Sequence, residues 1–218
     1  MNSDPVLEHF QGTEALLDGH FLLSSGLHSD KYLQCALALQ FPSDAARFGR
    51  AIARGFLDLS ISEEEESSGR AIVDDANVST SGSPFVFDTV ASPAIGGLVI
   101  GYATAEALNV RFIWTERAEG QMTLRRGFTI RPGERVLVVE DVITTGGSTR
   151  ECIAALEANG ARVTAAASII DRSNGTADVG VPRRSLATLN VPTFAPEDCP
   201  MCADGIPVVK PGSRAISK

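Results

Sequence analysis

Short runs of apolar residues alternate with more polar segments through most of the chain. The apolar runs predict buried strands at residues 85–90, 110–115, 136–139 and 163–170. The other regular segments predict helices at residues 43–59, 96–108 and 149–159. Because strands and helices follow one another in turn, we expect an α/β fold with a central, mostly parallel sheet flanked by helices.

The first forty residues depart from this alternation. We predict a helix at residues 5–17, followed by short extended segments at residues 21–23 and 31–35. These pieces are too short to belong to the central sheet, so we expect residues 1–40 to form a small hood.

One internal segment interrupts the alternation as well. Residues 60–83 hold seven serines and an acidic run, so we expect an exposed, solvated insertion. A metal-binding role for these acids is the weaker alternative. With a tail at residues 191–218, the whole of residues 1–218 is expected to form a single domain.

Composition narrows the possible classes of protein. The chain has 218 residues, of which 44% are hydrophobic, and a formal net charge of −8. This length supports one domain with a hydrophobic core. The acidic balance argues against general nucleic-acid binding, which requires a basic surface. No signal-peptide core and no long apolar run is present, so we expect a cytoplasmic protein without a membrane partner.

The four cysteines are too few and too unevenly spaced for a disulfide scaffold. We expect Cys35 and Cys152 to be buried apolar fillers. Cys199 and Cys202 have the CxxC spacing of a zinc knuckle or a redox pair, but no second pair lies nearby in sequence. A structural turn in the tail is the interpretation that we favour for them.

Residues 136–148 join a buried strand to an acid pair and a turn of small residues. Glu140 and Asp141 offer carboxylate acceptors that suit the paired hydroxyls of a ribose. The turn that follows contains Thr144, Thr145, Gly146, Gly147 and Ser148. Its place between a strand and a helix suits a phosphate, because free N–H groups and the positive dipole end meet there. The segment therefore indicates a ribose 5-phosphate, with an ordinary turn and solvated acids as the alternative.

This segment resembles the phosphoribosyl diphosphate (PRPP) signature of the type I phosphoribosyltransferases. The resemblance implies that fold, and it implies that the acid pair and the turn residues 144–148 bind PRPP. In that family a second strand-to-helix turn holds the diphosphate. The corresponding turn here implies PRPP contacts from Ala94, Ile95, Gly96 and Gly97. Taken alone, a turn with two glycines is also compatible with a purely structural role.

Residues 111–131 form a basic island in an acidic protein. They include five arginines and two glutamates, a local charge of +3. We expect a flexible loop that closes over the site and brings Arg117, Arg125 and Arg126 onto the leaving diphosphate. An exposed basic hairpin without such a role is the alternative.

Residues 19–32 look like the N-terminal segment of the orotate phosphoribosyltransferases. The resemblance implies that Ser25, Gly26 and Tyr32 contact the base. Asp171 and Arg172 match a pair whose arginine contacts orotate in that family, and an arginine suits a base that bears a carboxylate. Thr145 is implied as a further orotate contact.

The resemblance implies nucleophilic substitution at C1 of PRPP with Mg²⁺ as cofactor and with no covalent enzyme intermediate. Arg117, Arg125, Arg126 and Asp141 are the expected catalytic residues. Mg²⁺ would be held through PRPP, with Asp141 as the candidate direct ligand. PRPP and orotate are the expected substrates, and a homodimer with shared active sites is the expected assembly.

The chain also departs from better-known members of that family, which carry lysines in the loop and in the diphosphate turn. Ser24, Gly96, Ala118 and Gln121 stand where lysines are found. Charge neutralisation would then rely on the arginines and the metal. Two alternatives stay open: a phosphoribosyltransferase for another nucleobase, and a PRPP-sensing regulator without turnover.

Overall fold

The computed structural model describes residues 4–23, 25–57 and 86–210, so the predicted insertion at residues 60–83 lies outside the described residues. Two compact units divide the chain, Met1–Ala38 with Leu189–Lys218 and Leu39–Thr188, and each is described by itself. In chain order the elements are α1 (Pro5–Gly12), β1 (Leu16–Leu22), β2 (His28–Leu33), α2 (Cys35–Ala38), α3 (Pro42–Leu57), β3 (Thr89–Pro93), α4 (Leu98–Leu108), β4 (Arg111–Ala118), β5 (Gln121–Leu124), β6 (Arg135–Ile143), α5 (Gly147–Ala158), β7 (Arg162–Asp171), β8 (Arg183–Thr188), β9 (Thr193–Phe194), a 3-10 helix (Pro196–Asp198) and α6 (Pro200–Ala203).

A three-stranded antiparallel sheet, in the order β1-β2-β9, forms the centre of the first unit. The predicted extended segments at residues 21–23 and 31–35 overlap β1 and β2 only in part, because both strands begin and end earlier. The predicted helix at residues 5–17 is wrong beyond Gly12, where α1 ends. Glu14 adopts a φ of 56°, and a residue in this left-handed region cannot continue an α-helix.

A six-stranded sheet, in the order β5-β4-β3-β6-β7-β8, forms the centre of the second unit. All neighbouring strands are parallel except the β4–β5 pair. This confirms the predicted α/β fold with a mostly parallel sheet. β8 was not predicted, because its sequence has no continuous apolar run and, among the strands of residues 4–23, 25–57 and 86–210, it lies at the edge of the sheet.

The core of the second unit is built around β6. Its residues Val136, Leu137, Val138 and Val139 are fully buried. Leu156 and Cys152 of α5 pack against the Val136 and Val138 side of the sheet. Strands buried on both faces read as continuous apolar runs, which explains why this strand was predictable.

The two cysteines expected to be fillers are buried, as predicted: Cys35 in the first unit and Cys152 in the second. Burial raises the pKa of the Cys152 thiol to about 12, so this thiol is unreactive at neutral pH. Among the residues that the structure describes, no helix combines the length and the apolar character needed to cross a bilayer.

Helices α3 and α4 cross at Gly49. A Cβ added at Gly49 would lie 2.5 Å from the backbone carbonyl carbon and oxygen of Ala103. This approach is closer than side chains tolerate, so a residue without a side chain is required for the helices to pack here.

We expect Gly49→Ala to lower the free energy of unfolding by about 1–3 kcal/mol, because the new methyl group must push the two helix backbones apart. Urea unfolding of the full chain measures the change.

Gly55→Ala on the same helix is the matched control. There the nearest atom to an added Cβ is Arg184 Cδ at 3.9 Å, so the substitution should be neutral or slightly stabilising. Equal losses of stability in the two variants would contradict the close helix crossing.

Candidate active site

The acid pair lies within strand β6, near its carboxyl end, rather than after the strand. β6 continues to Ile143, four residues beyond Val139, where the predicted strand ends. Glu140 is buried, and Asp141 is partly buried with its Oδ1 accepting the Val142 backbone N–H at 2.8 Å. Alternation along a strand sends these neighbouring side chains to opposite faces of the sheet.

The turn at residues 94–97 packs directly against the acid pair. β3 and β6 are adjacent parallel strands, so the turns after them lie at the same edge of the sheet. A Cβ added at Gly96 would lie 2.8 Å from Asp141 Oδ2, and one at Gly97 would lie 3.1 Å from Glu140 Oε2. The two glycines therefore let the chain pass over both carboxylates, and the structure brings the two predicted PRPP turns together.

The backbone of that turn is held at its first residue. The Ala94 N–H donates to the Thr115 carbonyl at 2.8 Å, which ties the turn to β4. The Ala94–Ile95 peptide bond is cis, and the Ile95 side chain is 84% exposed. The turn thus presents backbone groups and small residues rather than charged side chains.

Glu140 has an unusual protonation equilibrium. Burial, reinforced by the negative charge of Asp141, raises the pKa of Glu140 to about 8. In the absence of a ligand its carboxyl group is therefore mostly neutral at pH 7. Strongly shifted carboxyl groups of this kind cluster at functional sites.

The second turn, at residues 144–148, leads into helix α5. The helix begins at Gly147, two residues earlier than predicted, and Gly146 precedes it with a φ of 74°. No side chain caps the first turn of α5. The side chains of Thr144, Thr145 and Ser148 are exposed around it. Uncapped N–H groups with hydroxyls beside them form a site suited to a phosphate group.

Arg150 holds this turn in place. Its guanidinium donates to the Thr145 carbonyl at 3.0 Å and to the Asp178 carbonyl at 2.5 Å. Sequence reasoning missed Arg150, because no motif marks an arginine that bonds only to backbone carbonyls. Its contacts explain how an exposed turn keeps a defined shape.

The basic segment is a β-hairpin rather than an irregular loop. β4 and β5 pair from Thr115 to Leu124, and the connecting residues Glu119 and Gly120 both have positive φ, as a tight hairpin turn requires. This geometry is that of the exposed basic hairpin, which was the alternative to a flexible loop. Whether the segment also moves over a substrate stays a prediction.

The three arginines of the hairpin contact carboxylates of the same unit. Arg117 forms a salt bridge with Glu151 of α5 and donates to the Gly120 carbonyl at 2.8 Å. Arg125 and Arg126 both pair with Glu116, at 3.2 and 3.0 Å. The arginines are at least 48% exposed, so these pairs are in contact with solvent.

Asp171 and Arg172 lie at the carboxyl end of β7, next to the end of β6. The Arg172 N–H donates to the Ile143 carbonyl at 2.8 Å. Asp171 is buried and accepts from the Ser173 N–H and from Arg183 Nη1, at 2.7 and 2.9 Å. Burial acts to raise the pKa of Asp171, but these hydrogen bonds outweigh it and the pKa is lowered.

The Asp171–Arg183 pair is a second feature that sequence reasoning missed. Both side chains are largely buried, at 4% and 12% exposure, and they hold the chain that follows β7. The two residues lie twelve positions apart in an irregular stretch of sequence, so no spacing rule indicates the contact. The pair fixes the backbone position from which Arg172 projects.

The remaining predicted base contacts belong to the first unit. Gly26 adopts a φ of 84° in the turn between β1 and β2, and its N–H donates to the Leu23 carbonyl at 3.0 Å. Ser25 is exposed in the same turn. The Tyr32 ring lies 5.7 Å from the Phe21 ring. Ser24 lies outside the described residues.

Comparison with solved structures identifies the fold class. The chain is similar to orotate phosphoribosyltransferase from Aeropyrum pernix, at 24% identity and a TM-score of 0.60, covering 84% of this chain and 93% of that one. It is similar to adenine phosphoribosyltransferase from Thermoanaerobacter pseudethanolicus, at 17% identity and a TM-score of 0.51, covering 73% and 88%. The family "Phosphoribosyl transferase domain" matches residues 70–190. The protein is thus a phosphoribosyltransferase by fold and sequence.

Sequence relatives resolve the family further. The chain is 47% identical to orotate phosphoribosyltransferase of Caldicellulosiruptor bescii, over 98% of this chain and 99% of that one. It is 47% identical to the enzyme of the same name from Pelotomaculum thermopropionicum, over 99% and 100%. The chain belongs to the orotate phosphoribosyltransferase family.

The raised pKa of Glu140 predicts a pH-dependent stability. In the folded state the pKa of Glu140 is about 8, whereas the ordinary pKa of a glutamate side chain is 4.5. The neutral form therefore contributes its full stability below about pH 4.5, and this is lost as the pH rises to about 8. Glu140→Gln, which is always neutral, should be more stable than wild type by on the order of a few kcal/mol above pH 8 and nearly equal to it at pH 5.

Urea unfolding of both proteins across this pH range measures the difference. Glu157→Gln, at an exposed position of α5, is the control and should show no such trend. A constant difference between Glu140→Gln and wild type at every pH would show that Glu140 does not carry the shifted equilibrium.

Proposed function

We propose that this chain transfers the 5-phosphoribosyl group of PRPP to orotate, forming orotidine 5′-phosphate and diphosphate in pyrimidine nucleotide synthesis. The observation that carries the proposal is the packing of the Gly96–Gly97 turn on Glu140 and Asp141. It occurs in a chain that is 47% identical, over nearly its full length, to orotate phosphoribosyltransferases.

PRPP has three recognition elements, and the second unit offers a matching surface for each. The 5-phosphate suits the uncapped first turn of α5, with Thr144, Thr145, Gly146, Gly147 and Ser148 around it. The ribose hydroxyls suit the carboxylates of Glu140 and Asp141. The diphosphate suits the backbone of Ala94, Ile95, Gly96 and Gly97, which lies against those acids.

Asp141 also fits a Mg²⁺ ion delivered with PRPP. Hard divalent cations prefer carboxylate and phosphate oxygens, and Asp141 points toward the diphosphate turn. A cation there would oppose the repulsion between the two acids that helps to raise the pKa of Glu140. When bound, Mg²⁺ supplies positive charge to the departing diphosphate and fixes its orientation.

The arginines of the hairpin are the proposed source of the remaining positive charge. Residues 94–97 and 115–128 contain no lysine. Arg117, Arg125 and Arg126 would have to exchange Glu151 and Glu116 for diphosphate oxygens. Solvent-exposed ion pairs contribute only about 0–1 kcal/mol, so the release of Glu151 by Arg117 carries a small cost. Glu116 is only 17% exposed, so its release by Arg125 and Arg126 costs more.

The carboxylate of orotate is the partner that we propose for Arg172. The backbone there is held by the buried Asp171–Arg183 pair and by the Ile143 carbonyl. A backbone held in this way limits where the Arg172 side chain can reach, and a guanidinium is well suited to bind a carboxylate. Ser25, Gly26, Tyr32 and Thr145 are proposed as further base contacts from the family resemblance. A cytoplasmic location stays a prediction.

We expect the purified chain to consume orotate only when both PRPP and Mg²⁺ are present, as followed by the ultraviolet absorbance of orotate. Adenine, hypoxanthine and uracil are tested in parallel. Turnover of one of these bases instead of orotate would show that this base, and not orotate, is the substrate. PRPP binding without turnover of any base would favour the regulator.

Two variants test the proposed roles in the same assay. Asp141→Asn should lower kcat/KM by on the order of 100-fold, because it removes charge that positions PRPP and Mg²⁺.

Arg172→Ala should raise the KM for orotate about 10- to 100-fold and leave the KM for PRPP nearly unchanged. Glu157→Gln and Arg162→Ala, at exposed positions of α5 and β7, are the matched controls. A PRPP defect in Arg172→Ala would contradict its role toward the base.

An exposed apolar face on the second unit supports the expected homodimer. Val99 and Tyr102 of α4 are 48% and 64% exposed, and Phe41 is 57% exposed. A groove beside them is lined by Leu98, Phe112 and Trp114. Contiguous apolar surface of this kind marks interaction sites, and a second copy of the chain is the occupant that the family resemblance implies.

We expect light scattering to give a molar mass of about twice that of the chain, and we expect Tyr102→Glu to shift it toward the monomer by burying a charge in the interface. Ala154→Glu, which places the same charge on an exposed position of α5, is the control. Dimers of unchanged stability in Tyr102→Glu would place the interface elsewhere.

A further inference from the structure

Four metal-ligating side chains converge in the first unit, apart from every residue assigned above. His20 lies on β1, His28 begins β2, and Cys199 and Cys202 flank the start of α6. Their ligand atoms all lie within 4.8 Å of one another. His20, His28 and Cys199 are buried, whereas Cys202 reaches the surface.

The separations match the size of a tetrahedral zinc site. With bonds of about 2.0 Å to nitrogen and 2.3 Å to sulfur, neighbouring ligand atoms in such a site lie about 3.3–3.8 Å apart. Here Cys199 Sγ and Cys202 Sγ lie 3.5 and 3.7 Å from His20 Nε2, and Cys202 Sγ lies 3.3 Å from His28 Nδ1. The two histidine nitrogens are somewhat closer, at 2.8 Å.

Hydrogen bonding orients one of the ligands as a zinc site requires. His20 Nδ1 lies 2.7 Å from the Ile206 carbonyl, which can only accept a hydrogen bond, so Nδ1 carries the proton. Nε2 then offers its lone pair to the cluster. Metal-ligating histidines are commonly held in this way by a carbonyl on the other ring nitrogen. Ile206 follows Cys202 by four residues, so one short segment supplies two thiols and the carbonyl.

A hydrogen-bonded cluster without metal explains the arrangement less well. One lone pair on His20 Nε2 faces His28 Nδ1 and two thiols, and it can accept only one strong hydrogen bond. A Cys199–Cys202 redox pair does not require two buried histidines at the sulfur atoms. Both cysteines are free thiols in this structure.

We propose that His20, His28, Cys199 and Cys202 bind one structural zinc ion. Two thiolates and two imidazoles form a closed, borderline-soft ligand set that zinc favours, with no open position for chemistry. The ion would join the β1–β2 hairpin to a segment 179 residues away from His20 in sequence. It would act as a cross-link that stabilises the first unit.

Elemental analysis of the purified full chain, after exhaustive dialysis, tests the proposal without any variant. We expect about one zinc ion per chain. After removal of the zinc with a chelator, Co²⁺ should restore occupancy and give the thiolate charge-transfer and intense visible bands of tetrahedral Cys/His coordination. A chain that contains no zinc and takes up neither ion, or one that contains a Cys199–Cys202 disulfide, would overturn the proposal.

Cys202→Ser tests the ligand set, and its exposed position makes a folding failure less of a concern. We expect this variant to lose most of the zinc and to lower Tm by about 5 °C or more relative to zinc-loaded wild type. Cys35→Ala, at a buried cysteine outside the cluster, is the control and should keep its zinc. Full zinc content in Cys202→Ser would contradict the assignment. Because the readouts are metal content and Tm, a failure of the orotate assay would not affect them.

Discussion

The candidate active site depends on the close passage of the Gly96–Gly97 turn over two carboxylates. Parallel pairing of β3 and β6 places the turn and the acids at one edge of the sheet, and the absence of side chains at the glycines lets them touch. The same contact isolates Glu140 from water beside a like charge, which raises its pKa. One packing constraint therefore sets both the shape and the protonation of the site.

The distribution of positive charge follows from this constraint. A turn that must pass within van der Waals contact of Asp141 has no room for a lysine side chain at Gly96. Cationic groups must then approach from neighbouring elements. The hairpin carries three arginines that are each at least 48% exposed and that pair with Glu116 or Glu151. Solvent weakens the Arg117–Glu151 pair most, because both of its side chains are about half exposed, whereas Glu116 is more buried.

The sequence predicted the parallel sheet and the two strand-to-helix turns beside the acid pair because each depends on local pattern: buried strands, small residues and acids in fixed order. It failed where the outcome depended on a single backbone conformation, as at Glu14, or on an edge strand without an apolar run, as at β8. Contacts between residues that are distant in sequence could not be predicted either. Neither the Asp171–Arg183 pair nor the approach of His20 to Cys199 has a sequence spacing that predicts it.

The histidine and cysteine cluster also changes how the first unit is understood. The sheet of this unit has three strands, of which the third has two residues, and units with small cores commonly rely on disulfides or metals. Without a metal, the buried His20 and His28 rings would compete with two thiols for few hydrogen bonds, which would weaken such a unit further. A zinc ion would bind these imidazoles and thiols, and it would cross-link β1, β2 and the segment around α6. The CxxC pair, which by sequence favoured a simple turn, then has a physical reason to lie beside two buried histidines.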